Sequence, residues 1–300
     1  MSGPLLRFED GKIAIGGKDL FASSANLSIS PALEVERVYG EYDAAIAGAK
    51  TNFVNFAPTQ GLRGQLEVSF FISAEQFASD GNPNTINRMF DIAAGMSEAP
   101  INDNVVGRYS FDNMYLKSFS FDMSPFQIVR ATASYDIYGT VDKVIDRRFN
   151  KGEVDFAHSL KSFGGLFASG VSEDEFEIAS LKYNILVNRK VHNHIRANEN
   201  TSVNTNANGV VPVRVSVESI EKEMTIESSE MLENINAYGD KQDSTTPFGL
   251  SDSRIEAFLM SMQGERIARF SANGKIQTQS MSIAEGQYAK GNITIKEIIK

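Results

Sequence analysis

The residues that could do chemistry in this chain begin with its three histidines. His192 and His194 are two positions apart, so on a β-strand they would share a face and could ligate one metal ion. Metal sites usually need three or four protein ligands, and the surrounding basic segment NRKVHNHIR offers no obvious third one. His158 stands beside Ser159, but the sequence contains no G-x-S-x-G nucleophile elbow. The histidines therefore predict neither a metal site nor a catalytic site.

The other short motifs give no stronger sign of chemistry. The run Glu173-Asp174-Glu175 has adjacent carboxylates and no glycine-centred loop, which favours a solvated acidic face over a calcium site. Gly16-Gly17-Lys18 lacks the spacing of a phosphate-binding loop and indicates a turn between strands. No dinucleotide-binding fingerprint, zinc-protease helix or kinase motif set is present. We therefore predict that the protein is not an enzyme and has no catalytic residues, cofactor or metal.

Composition limits the class of protein and of partner. The 300 residues, 42% of them hydrophobic, can bury one large core or two ordinary ones. A net charge of −9 argues against gripping a nucleic-acid backbone, although DNA could slide past such a surface without adhering. Cysteine is absent, which excludes disulfides and thiolate metal sites. Without a long apolar run or a signal-peptide pattern, we expect synthesis and folding in a cytoplasm and no membrane partner.

One stretch, Ser118 to Gly139, has the pattern of two adjacent β-strands. In each strand apolar residues alternate with polar ones, as in Phe119, Phe121 and Met123 of the first. A shift of 160 positions places Phe121 on Met281, and the alternation is kept without a gap across the second hairpin. The alternation differs only at the end, where the apolar Ile137 corresponds to the charged Glu297. The pattern predicts two copies of one β-rich unit.

The same order of elements occurs in both halves of the chain: strand, long loop, strand, helix and hairpin. In the first half Leu66, Val68, Phe70 and Ile72 form the clearest strand, and in the second Val211, Val213, Val215 and Val217 match its phase. A helix is predicted after Asn84 or Thr85, and another between Ser251 or Ser253 and Gly264. The sequence therefore predicts a mainly β protein with minor α content, divided into residues 1–145, a connector at 146–177, and residues 178–300.

Each half resembles the tail tube protein fold of long-tailed bacteriophages, which tube proteins of contractile injection systems share. The resemblance rests on the element order and on the hairpins QIVRATASYDIYGTV and QYAKGNITIKEIIK, and it covers most of the chain. It implies two tandem antiparallel β-sandwich or β-barrel tube-like domains, each with a flanking helix. It also implies a structural virion protein that self-assembles into stacked rings, forming a hollow conduit for DNA ejection.

The resemblance further implies partners and a location. The chain would form a ring of three copies with pseudo-sixfold symmetry, or of six. Other tail proteins (a sheath, the baseplate, a terminator and a tape measure protein in the lumen) would contact it, and DNA would pass without specific binding. It would reside in the virion tail after assembly in the host cytoplasm.

Two long loops are the expected contacts between subunits and between successive rings. The loop Gly40–Gly64 is rich in glycine, alanine and asparagine and carries two phenylalanines, which either dock onto a partner or tuck beneath their own loop. The loop Arg196–Gly209 is rich in asparagine. The candidate contact residues are Phe53, Phe56, Arg63, Asn198, Asn200, Asn204 and Asn208.

Three alternatives remain open on the sequence alone. A baseplate or tail-completion protein of the same fold would form one ring without polymerising. A β-sandwich module that binds carbohydrate is the second, with Tyr39, Tyr42 or Tyr109 as stacking residues in a chain without tryptophan. An enzyme with an unrecognised site ranks last.

Overall fold

The computed structural model describes fifteen segments of the chain. They are residues 13–20, 22–29, 33–38, 53–58, 64–72, 98–124, 129–139, 141–143, 163–168, 174–176, 178–195, 210–228, 252–260, 266–286 and 290–300. Within these segments the protein is mainly β, its sheets are antiparallel, and no residue is helical. The predicted fold class is thus confirmed in its main part, mainly β.

Eighteen strands make up the described structure. In chain order they are β1 (Ile13–Ile15), β2 (Lys18–Asp19), β3 (Ala22–Ile29), β4 (Leu33–Val38), β5 (Phe53–Pro58), β6 (Gly64–Phe71), β7 (Asn104–Val106), β8 (Tyr109–Phe111), β9 (Met114–Met123), β10 (Arg130–Ile137), β11 (Val141–Lys143), β12 (Phe163–Ala168), β13 (Asp174–Phe176), β14 (Ile178–Ile195), β15 (Val210–Ser228), β16 (Asp252–Met260), β17 (Arg266–Ser282) and β18 (Lys290–Ile299).

One large sheet contains strands from both halves of the chain. Its eleven strands lie in the order β13-β12-β16-β17-β18-β15-β14-β9-β10-β6-β3. A five-stranded sheet has the order β11-β8-β7-β1-β2, and β4 pairs with β5 alone. The halves meet where β9 pairs with β14, so the backbone hydrogen-bond ladder runs from one half into the other.

The predicted 160-residue repeat is confirmed for the hairpin at the level of register. In the first hairpin Arg130 pairs with Asp122 and Ala133 with Phe119. In the second, Lys290 pairs with Ser282 and Ile293 with Gln279, which are the same pairs shifted by 160 positions. Both ladders slip at the same point, so that Lys117 and its counterpart Gln277 are each left outside the pairing. Such bulges add local twist, and here the twist occurs at corresponding points.

The equivalence extends to two further strands in each half. β10 pairs with β6 and β6 with β3, whereas β18 pairs with β15 and β15 with β14. A bulge between Ala22 and Ser24 of β3 corresponds to one between Ile178 and Ser180 of β14. We call β3-β6-β10-β9 the first four-stranded unit and β14-β15-β18-β17 the second. The predicted divisions at 145 and 178 stay predictions, because the shared sheet does not place a boundary there.

The core lies on one face of this sheet and includes residues of both units. The alternating residues predicted to be apolar in the first hairpin are all buried. At the centre Phe121 packs against Phe270 with ring centroids 4.6 Å apart, and Tyr183 lies 5.2 Å from Phe270. Four strand-to-strand steps separate β9 from β17, about 19 Å in a flat sheet. Contact between Phe121 and Phe270 therefore requires that the sheet curl over itself.

A buried asparagine holds the smaller sheet together. Asn104 is fully buried, donates to the carbonyls of Ile101 and Phe111, and accepts a hydrogen bond from the Gly16 amide at 3.0 Å. Gly16 and Gly17 have φ angles of 61° and 78°, which favour glycine. The turn predicted at these glycines is confirmed.

The second predicted helix is wrong, because Asp252–Met260 forms strand β16 between β12 and β17. Ile255 and Ala257 alternate with the charged Arg254 and Glu256, so the first part of this segment also fits a period of two. Pairing with a strand on each side supplies the backbone hydrogen bonds that a helix would have made internally, and this tertiary context overrides the helical spacing. The first predicted helix, after Asn84 or Thr85, lies outside the described residues.

Two segments predicted to lack regular structure contain strands. β5 lies inside the loop predicted at Gly40–Gly64 and pairs with β4 over six residue pairs. β12 and β13 lie in the predicted connector. The sequence underestimated strand content here because strands of three to six residues show little alternation.

Candidate assembly site

The contact between the two units is a paired strand edge, which we call the internal joint. β9 and β14 form six residue pairs, from Leu181 opposite Met123 to Leu186 opposite Ser118. On the core side Tyr183 lies opposite Phe121, and Ile185 lies opposite Phe119. All four side chains are buried. Because backbone pairing and apolar burial coincide, the joint shows how one unit of this fold binds the edge of another.

The second unit continues into a two-stranded ribbon, which we call the arm. β14 pairs with β9 only through Leu186, and β15 pairs with β18 only from Ile220 onward. Residues 187–195 and 210–219 pair only with each other within the described structure, up to Ile195 opposite Val210. Nine residues of strand extend about 30 Å. The arm carries residues 196–209, one of the predicted contact loops, at its end.

Arg189 lies at the base of the arm, beside a bulge between Asn188 and Arg189. Its Nε donates to the carbonyl of Leu116 at 3.2 Å, just beyond the last residue of β9 that pairs with β14. The guanidinium lies over the ring of Tyr115, 5.2 Å from the centroid. Tyr115 in turn packs edge-on against Tyr138 at 5.7 Å. Arg189 therefore fixes the direction in which the arm leaves the sheet.

Both terminal nitrogens of Arg189 are buried and have no hydrogen-bond partner among the described residues. Burial lowers the pKa of Arg189, and the neighbouring Tyr115, Tyr138, Asp136 and Glu98 oppose that shift. Burial raises the pKa of Tyr138 to about 12, and it also raises the pKa of Tyr115. Arginine stays protonated despite this lowered pKa, so the base of the arm holds a positive charge next to the two neutral phenols of Tyr115 and Tyr138.

A second charged group lies on the core face of the second unit. Lys222 Nζ contacts Glu297 Oε2 at 3.4 Å, and the two side chains are only 9% and 18% exposed. The same oxygen of Glu297 accepts a hydrogen bond from the Asn273 amide at 3.0 Å. Burial, followed by the charge of Glu297, raises the pKa of Tyr183, whose hydroxyl donates to the Ser271 carbonyl. These contacts explain why the apolar phase of the repeat fails at Glu297.

The opposite face of the second unit is polar. Glu221 pairs with Lys296 at 2.7 Å, Glu227 pairs with Lys290 at 2.8 Å, and Thr225 meets Thr294 at 3.0 Å. Opposite charges facing each other across neighbouring strands support the pairing of β15 with β18.

The predicted contact residues lie only partly within the described structure. Phe53 and Phe56 belong to β5, where they pair with Val38 and Val35 of β4. Arg63, Asn198, Asn200, Asn204 and Asn208 lie outside the described residues, as does His158. His192, on the arm, lies 3.3 Å from the Ser216 hydroxyl. Among the described residues no group of three or more potential ligands could hold a metal ion.

Sequence reasoning missed Arg189 and Lys222, although both left a signal. Arg189 follows Tyr183, Ile185 and Val187 on the apolar phase of β14. Lys222 stands likewise between Ile220 and Met224 in β15. A charged residue on the apolar phase of an otherwise alternating strand indicates a buried partner or a bulge.

No helix of the described part of the chain is long and apolar enough to cross a membrane. No protein-family model matches the chain, and no curated protein is significantly similar to it in sequence.

Proposed function

We propose that this protein is a structural subunit of a bacteriophage tail tube, which self-assembles into stacked rings that form a hollow conduit for DNA. The observation that carries the proposal is the pair of equivalent four-stranded units joined edge to edge in one chain. A protein built by adding one unit to the strand edge of another has the interface that a ring of such units needs. Ring closure would also remove the exposed edges that a sheet otherwise leaves.

The proposal also includes the type of domain that each unit forms and the number of chains in a ring. Each unit would be a tube-type β-sandwich or barrel, and the curl of the large sheet around Phe121 and Phe270 is consistent with such curvature. Three chains would give a ring of six units, and six chains are the alternative. The polar face of the second unit and the net charge of −9 suit a surface past which DNA moves without binding.

The arm supports a second contact, between one ring and the next. Its strands span about 30 Å, pair with no other described strand beyond Leu186 and Ile220, and are held at their base by Arg189. A ribbon of this length can reach beyond its own ring. We infer that the arm and residues 196–209 contact the neighbouring ring in the virion tail, whereas the joint acts within a ring.

The test is negative-stain electron microscopy of the concentrated protein together with its mass in solution. Hollow tubes or closed rings support the proposal, and the mass of a ring distinguishes three copies from six. Rings that never stack indicate a baseplate or tail-completion protein of the same fold. A monomer that stays monodisperse at every concentration, even with other tail proteins present, contradicts the proposal.

Shortening the arm tests its role in stacking. Replacing residues 191–215 by Asn-Gly would join Lys190 to Ser216, which are opposite each other, through a two-residue hairpin turn. We expect a folded protein that forms rings but no long tubes, because every strand pair of the core is kept. Circular dichroism checks folding, and microscopy counts tubes.

A deletion of Asn198–Asn208 is the matched variant, because it keeps the paired strands of the arm and removes only its end. If both variants form normal tubes, the arm has no part in stacking. If only the longer deletion abolishes tubes, the ribbon and not the loop makes the contact.

A further inference from the structure

Among the strand edges of the large sheet that have no partner within the described structure, two matter here. β3 is the last strand of the sheet at one end. β17 pairs with β16 only from Arg266 to Lys275, and within the described structure Met281 and Ser282 pair only with β18. Met281 and Ile283 at this second edge are 56% and 75% exposed, and Ile29 of β3 is 42% exposed. Large apolar side chains at an unpaired edge invite pairing with another strand.

These two edges are the counterparts of the edges that meet in the internal joint. By the repeat, β17 corresponds to β9 and β3 to β14. Met281 corresponds to Phe121 and Ile283 to Met123, which are 3% and 6% exposed. Ile29 corresponds to Ile185, which is 1% exposed. Positions that are buried where the units meet are thus exposed at the ends.

The two free edges also lack the features that usually prevent edge pairing. The segment ASSANLSI of β3 has no charged residue or proline, and neither does the segment QTQSMSIA from Gln277 to Ala284. Natural proteins normally protect an exposed edge with lysine, proline or a covering element. A chain with a net charge of −9 that leaves both edges neutral avoids charge repulsion at these two places.

We propose that the free edge of β17 in one copy pairs with β3 of a second copy, in the register of the internal joint. The inference rests on the self-assembly proposed above and specifies its contact. Transferring the pairs of the joint places Ile283 opposite Ala25 and Met281 opposite Leu27. The contact is head to tail, so a dimer still has one free β17 edge and one free β3 edge, to which further copies can add. The series of copies closes into a ring when the rotation from one copy to the next permits.

Disulfide trapping tests the register, because the chain has no cysteine. In the internal joint Ser120 lies opposite Asn184 on the outer face. The corresponding residues are Ser280 and Ser28, both exposed, so the variant Ser28→Cys/Ser280→Cys should form disulfides between copies on mild oxidation. Mixing the two single variants should give only dimers that contain one of each.

Two control variants calibrate the trapping. Ser120→Cys/Asn184→Cys reports how fast this register forms a disulfide within one chain. Asn26→Cys/Ser280→Cys moves one cysteine by two residues along β3, so that it stays on the same face. It should crosslink at least about tenfold more slowly, because cross-strand neighbours two residues away lie too far apart for a disulfide.

The outcomes separate this inference from the proposed function. Head-to-tail crosslinks in the expected register support the β17–β3 contact between copies even if no tubes appear. In that case only the conduit proposal fails. If rings or tubes form while Ser28→Cys/Ser280→Cys stays uncrosslinked, the proposed β17–β3 contact is wrong. The conduit proposal then still stands. Equal crosslinking of the shifted pair also overturns the register.

Discussion

At the scale of single residues, the informative positions are charged side chains on an apolar strand face. Lys222 and Glu297 occupy core-facing positions in neighbouring strands and contact each other across the ladder. Arg189 occupies another, where the bulge turns its Nε toward the Leu116 carbonyl. Removing one partner of such a pair leaves a charge with little water to solvate it, so each member depends on the other.

Lys222→Met should therefore destabilise the fold by about 2–4 kcal/mol, because Glu297 then stays on the core face without a cation. Lys222→Met/Glu297→Gln should recover most of this loss, since the glutamine oxygen can still accept from the Asn273 amide. Urea denaturation measures both. The control is Lys290→Met, whose ion pair is 52% and 29% exposed and should matter by about 0.5 kcal/mol. Equal effects of Lys222→Met and Lys290→Met would contradict this account.

At the scale of elements, the repeated hairpin is defined by its register as much as by its sequence. Phe119 and Gln279 are different residue types, yet they pair with corresponding partners and follow corresponding bulges. The second hairpin also needs a position without a side chain. A Cβ on Gly274 would lie 2.1 Å from the Lys296 carbonyl oxygen and 2.9 Å from the Glu297 Cα, both backbone atoms.

Gly274→Ala should disturb the end of the β17–β18 ladder and cost at least about 2 kcal/mol, because backbone cannot move aside without breaking strand pairs. Hydrogen exchange should become faster at the amides around Ile295. Gly286→Ala is the control, since no atom lies within 4 Å of its added Cβ and only its φ of 75° opposes the change, at about 1 kcal/mol. A smaller effect at Gly274 than at Gly286 would show that the strands separate easily here.

The alternation of apolar and polar residues predicted which segments form paired strands. It did not predict which neighbouring strands cover them. Phe119, Phe121 and Met123 are buried as expected, because a period of two forces them to one face. The same rule could not tell that Met281 and Ile283 would be exposed, since exposure depends on whether another strand covers them. The helix predicted after Ser251 or Ser253 failed because a short apolar segment fits both periods and its neighbours decide. The bulge beside Arg189 could be suspected only from a charged residue on the apolar phase of its strand, which indicates a buried partner equally well.

At the scale of the whole molecule, burial of tyrosines couples folding to alkaline pH. Burial raises the pKa of Tyr115, Tyr135 and Tyr183, and raises that of Tyr138 to about 12. A phenol with a higher pKa in the folded state releases its proton more readily after unfolding. Its contribution to stability is therefore complete below pH 10, the ordinary value, and is lost as the pH rises through the folded pKa.

Stability should consequently fall above pH 10, by up to about 1.4 kcal/mol per pH unit for each fully shielded tyrosine. Urea titrations in that range measure the fall, and ultraviolet absorbance of tyrosinate shows whether these four tyrosines ionise only on unfolding. Tyr138→Phe should make the decline shallower, because it removes one of the phenols whose pKa burial raises. Ionisation of all nine tyrosines together near pH 10 with the fold intact would contradict the prediction.

The internal joint has one more consequence, which concerns parity. Because β9 and β14 belong to the same polypeptide, their high effective concentration keeps them paired at any dilution, and no unit leaves alone. An assembly through the free edges can therefore grow or shrink only by two units at a time. Every closed ring of this chain holds an even number of units, with permanent and exchangeable contacts alternating around it.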